Sequence, residues 1–217
     1  MDHREILDAI RRTGVIAILR AKSSEQLLRV AEAIFAGGVC AIEVTLTTPG
    51  AIGVIEQAAV RFQNRGLSFG AGTVLDAESA RAAISAGASF VVAPNFKPEV
   101  IELCRRYSIP VFPGVYTPTE IVSAWEAGAD MVKVFPASVG GPGFIKAIKA
   151  PLPHIELVPV GGINLENTAS FIRAGASAVG VGSELVDQKL LEAGDWNGLK
   201  DRSRRFIEEV ERARKEA

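Results

Sequence analysis

The sequence predicts an α/β protein in which eight strands alternate with eight helices, and three observations lead there. The first is a recurring phrase, Ala-Gly followed by a short apolar run. It occurs as Ala36-Gly37-Gly38 before residues 39–44, Ala86-Gly87 before 90–93, Ala127-Gly128 before 131–135 and Ala174-Gly175 before 176–181. Glycine ends a helix because it accepts the left-handed conformation at the cap, so each phrase marks a helix-to-strand passage. The second is the character of the runs: unbroken Val, Ile and Ala suit parallel strands covered on both faces. The third is spacing. Segments of strand length and β-branched or aromatic content at 15–19, 68–72, 110–114 and 156–160 fill the gaps, which completes eight even β–α units. Such a series makes a (β/α)8 TIM barrel. The rival is an open doubly wound sheet, which rarely shows units this even.

The elements follow in order. Residues 1–12 read as an extra N-terminal helix that closes the barrel floor. Helices are expected near 24–35, 50–64, 77–86, 98–107, 118–127, 143–149 and 166–174, with a last one over 196–216. Several starts carry capping side chains or a proline at the first turn: Ser23 or Ser24, Asp76, Thr117 before Pro118, and Asn164. No linker or low-complexity stretch breaks the chain, so all 217 residues are expected to form one domain. The charged segment after Arg202 reads as a solvated helix face.

Composition narrows the function classes. A formal charge of -1 argues against a general nucleic-acid or anionic-membrane binder, since both need a basic excess. Two cysteines, Cys40 and Cys104, are too few for a disulfide framework and read as free thiols packed as small apolar groups. The N-terminus has no signal-peptide pattern, and no apolar run approaches the roughly 20 residues of a membrane span, so a soluble cytoplasmic protein is expected. The two histidines, His3 and His154, make no convincing metal site with the carboxylates.

In a barrel of this type the chemistry sits at the C-terminal ends of the strands. Glu43 and Lys133 stand out there, because both interrupt apolar strand runs (Ile42-Glu43-Val44-Thr45 and Val132-Lys133-Val134-Phe135). Charged residues are seldom buried unless paired. One reading is a structural ion pair inside the barrel. The other is a lysine nucleophile beside a carboxylate that moves protons. Lysine attacks a carbonyl only as the neutral amine, and desolvation among Val132, Val134 and Phe135 favours that form. The resulting Schiff base accepts electrons from the adjacent carbon, while a carboxylate handles dehydration and enamine protonation. Glu43 is the acidic group that the strand assignment places for this task, and neither histidine falls at a strand end.

A second constellation is rich in glycine. Gly161-Gly162-Ile163-Asn164 follows the seventh strand and Gly180-Val181-Gly182-Ser183 follows the eighth. Phosphate often binds at these two loops, where bare backbone N–H groups meet an anion. Ordinary tight turns are the alternative. Arg20, ending the first strand, is a candidate anion clamp or a surface arginine. Thr73 is either a carboxylate contact or a cap. Ala93-Pro94-Asn95 and Pro113-Gly114-Val115 either shape the pocket or serve as turn chemistry.

Taken together, Ile42-Glu43-Val44-Thr45-Leu46, Gly70-Ala71-Gly72-Thr73-Val74, Pro113-Gly114-Val115, Val132-Lys133-Val134-Phe135-Pro136 and Gly161-Gly162-Ile163 resemble the 2-keto-3-deoxy-6-phosphogluconate (KDPG) aldolase family. That family also contains the 4-hydroxy-2-oxoglutarate (KHG) aldolases. The likeness runs from about residue 12 to residue 187. It implies a class I aldolase without a metal or other cofactor, usually a homotrimer, acting on a phosphorylated 2-keto acid. It implies Lys133 as the Schiff-base residue and Glu43 as the proton shuttle. Thr73 would contact the pyruvate carboxylate, Pro94 and Phe135 would line the pocket, and Gly161, Gly162, Gly182 and Ser183 would hold the phosphate. One departure matters: Thr47 stands where some members carry arginine, so a substrate contact made by that arginine is absent here, and Arg20 is the candidate replacement.

The activity expected from this reading is cleavage of 2-dehydro-3-deoxy-6-phosphogluconate to pyruvate and glyceraldehyde 3-phosphate. Alternatives on the same machinery are the galactonate-derived epimer and unphosphorylated KHG. From other classes stand a phosphosugar isomerase and a non-catalytic phosphosugar-binding barrel. The last leaves a buried lysine unexplained.

Overall fold

The computed structural model describes residues 1–20 and 24–216. Ser23, and the side chain of Ser24, offered as caps for the helix that starts there, lie outside the described residues. The chain opens with α1 (His3–Thr13), a helix with a capping box: the Asp2 carboxylate accepts from the Glu5 N–H, and the Glu5 carboxylate accepts from the Asp2 N–H. Gly14, at φ 68°, ends it in the left-handed region and releases the chain into β1 (Val15–Leu19).

Strand and helix then alternate. They run α2 (Ser24–Ala36), β2 (Ala41–Thr45), α3 (Ala51–Arg61), β3 (Ser68–Gly72), α4 (Ala77–Ser85), β4 (Val91–Val92), α5 (Pro98–Arg106), β5 (Val111–Phe112) and β6 (Gly114–Val115). They continue α6 (Pro118–Glu126), β7 (Val132–Val134), α7 (Ala137–Lys149), β8 (Leu157–Pro159), α8 (Leu165–Arg173), β9 (Val179–Val181), α9 (Gln188–Ala193) and α10 (Trp196–Lys215). The expected caps at Asp76, Thr117 and Asn164 are all made, the last two as capping boxes with Glu120 and Asn167. Two differences from the sequence reading have plain causes. Helix α7 begins six residues before the expected 143, because 137–140 form a helical turn that breaks at Gly141 (φ 63°) and resumes at Pro142. The short α9 was not anticipated, since none of its residues is buried and it carries no apolar stripe.

All strand pairs are parallel. Six strands form a curled sheet in the order β5-β4-β3-β2-β1-β9, so the first and last strands of the chain are neighbours. Three more form a sheet in the order β6-β7-β8. Proline interrupts the stretch predicted as one strand at 110–114: Pro113 separates β5 from β6 and has no N–H to donate. Backbone bonds nonetheless run along its whole length, from Asp130 N–H to Val111 O, Lys133 N–H to Pro113 O and Phe135 N–H to Val115 O. On the other side, an isolated parallel bridge joins Val160 to Gly180.

Side-chain alternation along these strands produces two cores. Val15, Ala17, Leu19, Ile42, Val44, Val132 and Val134 face the helices and merge with their apolar stripes. The opposite face carries Ile16, Ala41, Phe90, Val92, Phe112, Met131, Val158, Val160 and Ala178. Helix α1 seals one end of this second core with Ile6, Leu7 and Ile10. It is fastened there by two polar contacts: His3 Nε2 lies 3.0 Å from Asp130, and Arg11 grips the Glu156 carboxylate, with its shortest contact at 2.7 Å. Both cysteines are free and buried. Among the described residues no helix is long and apolar enough to cross a membrane.

Candidate active site

The same alternation that turns Ala41 inward turns Glu43 and Thr45 inward, and between outward-facing Val132 and Val134 it does the same for Lys133. Glu43 is 2% exposed and Lys133 is 6% exposed. Among the described residues neither side chain takes part in a hydrogen bond or a close ion pair, so the structural ion pair considered from sequence is not formed. Among the described residues no fully enclosed side-chain polar atom is left without a partner, so both head groups keep an accessible face. The Lys133 Nζ lies 5.3 Å from the centre of the Phe135 ring. Burial pushes the Glu43 carboxyl above its usual value of 4.5, while the positive charges of Lys133 and Arg20 pull the other way. A carboxyl group raised in this manner holds a proton closer to neutral pH and can deliver it.

Phe135 connects these buried groups to a cavity of about 410 Å³ at the strand ends. Six residues singled out in the sequence line it together: Arg20, Phe135, Gly161, Gly162, Gly182 and Ser183. Gly161 and Gly162 have φ of 97° and 77°, a backbone that bares their peptide groups and excludes most side chains. Thr73 and Pro94 are not on this wall. Thr73 ends β3 in the left-handed region at φ 58°, half-buried. Pro94 follows β4 with its backbone packed against Gly114, where an added methyl group would lie 2.3 Å from the Pro94 carbonyl.

Sequence reasoning missed two parts of the cleft. Gln188 and Leu191 of α9 form one wall of the cavity. A second cavity of about 320 Å³ adjoins the first and shares Arg20, Gln188 and Leu191 with it, adding Gln26, Thr47, Thr48, Pro49 and Glu192. Arg20 therefore faces the cavity that Thr47 lines, where the Thr47 hydroxyl sits 3.0 Å from that of Thr45. The Asp187 cap and Gly194 stop that bracket α9 were the available signal.

A buried lysine and a buried carboxyl group of raised pKa beneath a glycine-walled pocket suit an imine-forming lyase, an aldolase of the Schiff-base class. Comparison with known proteins agrees. A sequence model of the family described as KDPG and KHG aldolase matches residues 6–201. A 2-dehydro-3-deoxy-phosphogluconate aldolase of Treponema pallidum (strain Nichols) is 35% identical over 94% of this chain and 97% of its own. A 2-dehydro-3-deoxy-6-phosphogalactonate aldolase of Escherichia coli (strain K12) is 40% identical over 79% of this chain and 83% of its own. The crystal structure of the KDPG aldolase from Legionella pneumophila, with pyruvate captured at low pH as a covalent carbinolamine intermediate, superimposes with a TM-score of 0.84 at 31% identity, covering 91% of this chain and 96% of that one. The chain belongs to the KDPG and KHG aldolase family.

Proposed function

We propose that this protein cleaves 2-dehydro-3-deoxy-6-phosphogluconate to pyruvate and glyceraldehyde 3-phosphate, with Lys133 as the imine-forming nucleophile and Glu43 as the proton carrier. The observation that carries the reading is a pair of ionisable side chains, both almost fully buried, facing one interior beneath a cavity walled by Gly161, Gly162, Gly182 and Ser183. Lys133 Nζ adds to the C2 ketone. Glu43, acting directly or through a water, gives the departing hydroxyl its proton and leaves an iminium. The carboxylate then takes the C4 hydroxyl proton, the C3–C4 bond breaks into the iminium, and the aldehyde leaves. The enamine is protonated at C3, and water releases pyruvate and the free amine. The glycine-rich loops and Ser183 hold the phosphate through backbone N–H groups, Arg20 adds positive charge, and Thr73, Pro94 and Phe135 shape the pyruvate end.

We infer the finer architecture in the same way. Residues 1–217 form one domain, an eight-stranded barrel in which β5 and β6 are one strand interrupted at Pro113 and the Val160–Gly180 bridge closes the ring. The continuous ladder from Val111 to Val115 against β7 supports it. A cytoplasmic homotrimer acting on a soluble small molecule fits the family. Sedimentation of the pure protein as a monomer would remove the trimer.

The phosphogalactonate epimer is the second reading, favoured by the 40% identity to an aldolase named for that substrate. The ratio of kcat/KM for the two C4 epimers decides between them. For the chemistry itself, borohydride is added to enzyme and pyruvate, and the intact mass is read. The wild type gains a reduced pyruvate adduct on Lys133, and Lys133→Ala gains none. An unchanged adduct on Lys133→Ala refutes the assignment.

A further inference from the structure

Glu43 lies on β2 opposite Gly70, and Thr45 lies opposite Gly72. The Glu43 side chain does not stand over its own partner. A methyl group built on Gly72 would lie 1.9 Å from Glu43 Oε1 and 2.4 Å from both Cδ and Cγ. The side chain therefore leans along the strands toward their C-terminal ends and rests across the α-carbon of the residue two positions on, a diagonal cross-strand contact.

The three atoms nearest to that methyl group all belong to Glu43. The φ of Gly72 lies outside the left-handed region, so alanine fits the backbone, and glycine inside a strand weakens it. Gly70 differs, since an added methyl there would strike the Phe90 ring at 2.3 Å, an ordinary packing reason. Nor can Gly72 step aside. It is buried, it pairs with Thr45, and its carbonyl accepts from the Leu46 N–H at 2.8 Å. With the backbone pinned, any side chain at 72 must displace Glu43.

We infer that Gly72 is a positioning residue for proton transfer: the missing β-carbon at 72 is the space in which the Glu43 carboxyl group lies, tilted toward the mouth where the substrate reacts. The inference rests on the proposed role of Glu43. It predicts that Gly72→Ala acts through Glu43 alone.

The test is a double-mutant cycle on the full-length enzyme, using Gly72→Ala, Glu43→Ala and the two together. The readouts are steady-state kinetics on the phosphorylated six-carbon substrate, borohydride trapping of pyruvate, and the thermal midpoint. Gly72→Ala is expected to lower kcat about 100-fold, the scale of an ångström-sized misplacement of a reacting group, with KM and pyruvate trapping largely retained. In the Glu43→Ala background the same change is expected to cost nothing further and to leave the thermal midpoint level or higher. Equal losses in both backgrounds, a loss confined to KM, or no loss at all overturn the role of Gly72 while leaving that of Glu43 intact. A Glu43→Ala enzyme with wild-type kcat overturns the proton-carrier reading itself, and the inference falls with it. Should Gly72→Ala prove insoluble, the doubly substituted chain, with the space vacated, must be soluble; insolubility of both also overturns the inference.

Discussion

Replacing Gly182 with alanine separates ligand binding from folding. Gly182 follows β9 and lines the main cavity. Its φ is not left-handed, and the nearest atom to an added methyl group would be the Ile18 carbonyl oxygen at 3.9 Å, ordinary contact distance. The fold thus accepts alanine, and stability should stay within about 0.5 kcal/mol of wild type by urea unfolding. Its neighbours in the cleft offer no such clean change. Gly162 has a left-handed φ, and a methyl there would press to 2.7 Å from the Ser138 Cβ. If the Gly182 peptide group cradles phosphate, a side chain holds the anion away and one charge-assisted hydrogen bond is lost, worth about 1.5–3 kcal/mol. At about 1.4 kcal/mol per factor of ten, kcat/KM on the phosphorylated substrate should fall about 10- to 150-fold. The assay couples pyruvate release to NADH oxidation by lactate dehydrogenase and runs the unphosphorylated KHG in parallel. KHG turnover should hardly change. Equal losses on both substrates, or none on the phosphorylated one, refute the phosphate assignment of this loop.

Glu43→Gln tests the buried carboxyl group through stability. The folded value is raised, so the folded state binds this proton more tightly than the unfolded chain, and the stabilisation is complete below 4.5 and lost as pH rises through the raised value. The variant lacks that loss, so its urea stability relative to wild type should increase between about pH 5 and about pH 8; a flat difference contradicts the burial of charge. Ile10 is fully enclosed where α1 meets the inner core, and Ile10→Ala should cost about 2–5 kcal/mol in the same assay. A loss under about 1 kcal/mol would mean that α1 is not packed as described. Burial pushes the Cys104 thiol up to about 12, with Asp130 adding to the effect. Native enzyme at about pH 8 should therefore resist alkylation at Cys104 and label there only after unfolding.

The readable parts of this molecule were those where a residue breaks the local rule. Lys133 and Glu43 showed themselves because a charge inside a run of valine and isoleucine has no cheap structural excuse. The glycine pairs at 161–162 and 180–182 were visible for the same reason, and the repeated Ala-Gly phrase marked the β–α units because a helix must stop before each buried strand. Features without such a conflict stayed hidden. Apart from Arg20 and Thr47, which the sequence did single out, the second cavity draws on Gln26, Thr48, Gln188 and Glu192, polar residues indistinguishable in sequence from any solvated surface. Helix α9 has no fully buried residue, only the half-buried Leu190 and Leu191, so no periodicity betrays it. The stretch 137–141 looked like a loop because Gly140-Gly141-Pro142 disfavours helix interiors, whereas two short turns meet there across a kink. Gly72 was quoted only as part of a motif, since the carboxyl group that fills its missing side chain belongs to another strand.

Helix α1 has a consequence for traffic. Ile6, Leu7 and Ile10 seal one end of the inner core, and among the described residues the cavity where the phosphate half is proposed to sit lies at the strand ends. In the proposed mechanism the aldehyde leaves first because pyruvate stays bonded to Lys133 until water cleaves the imine, and in the reverse direction pyruvate is loaded before the aldehyde. The sealed floor adds that neither fragment passes out past α1.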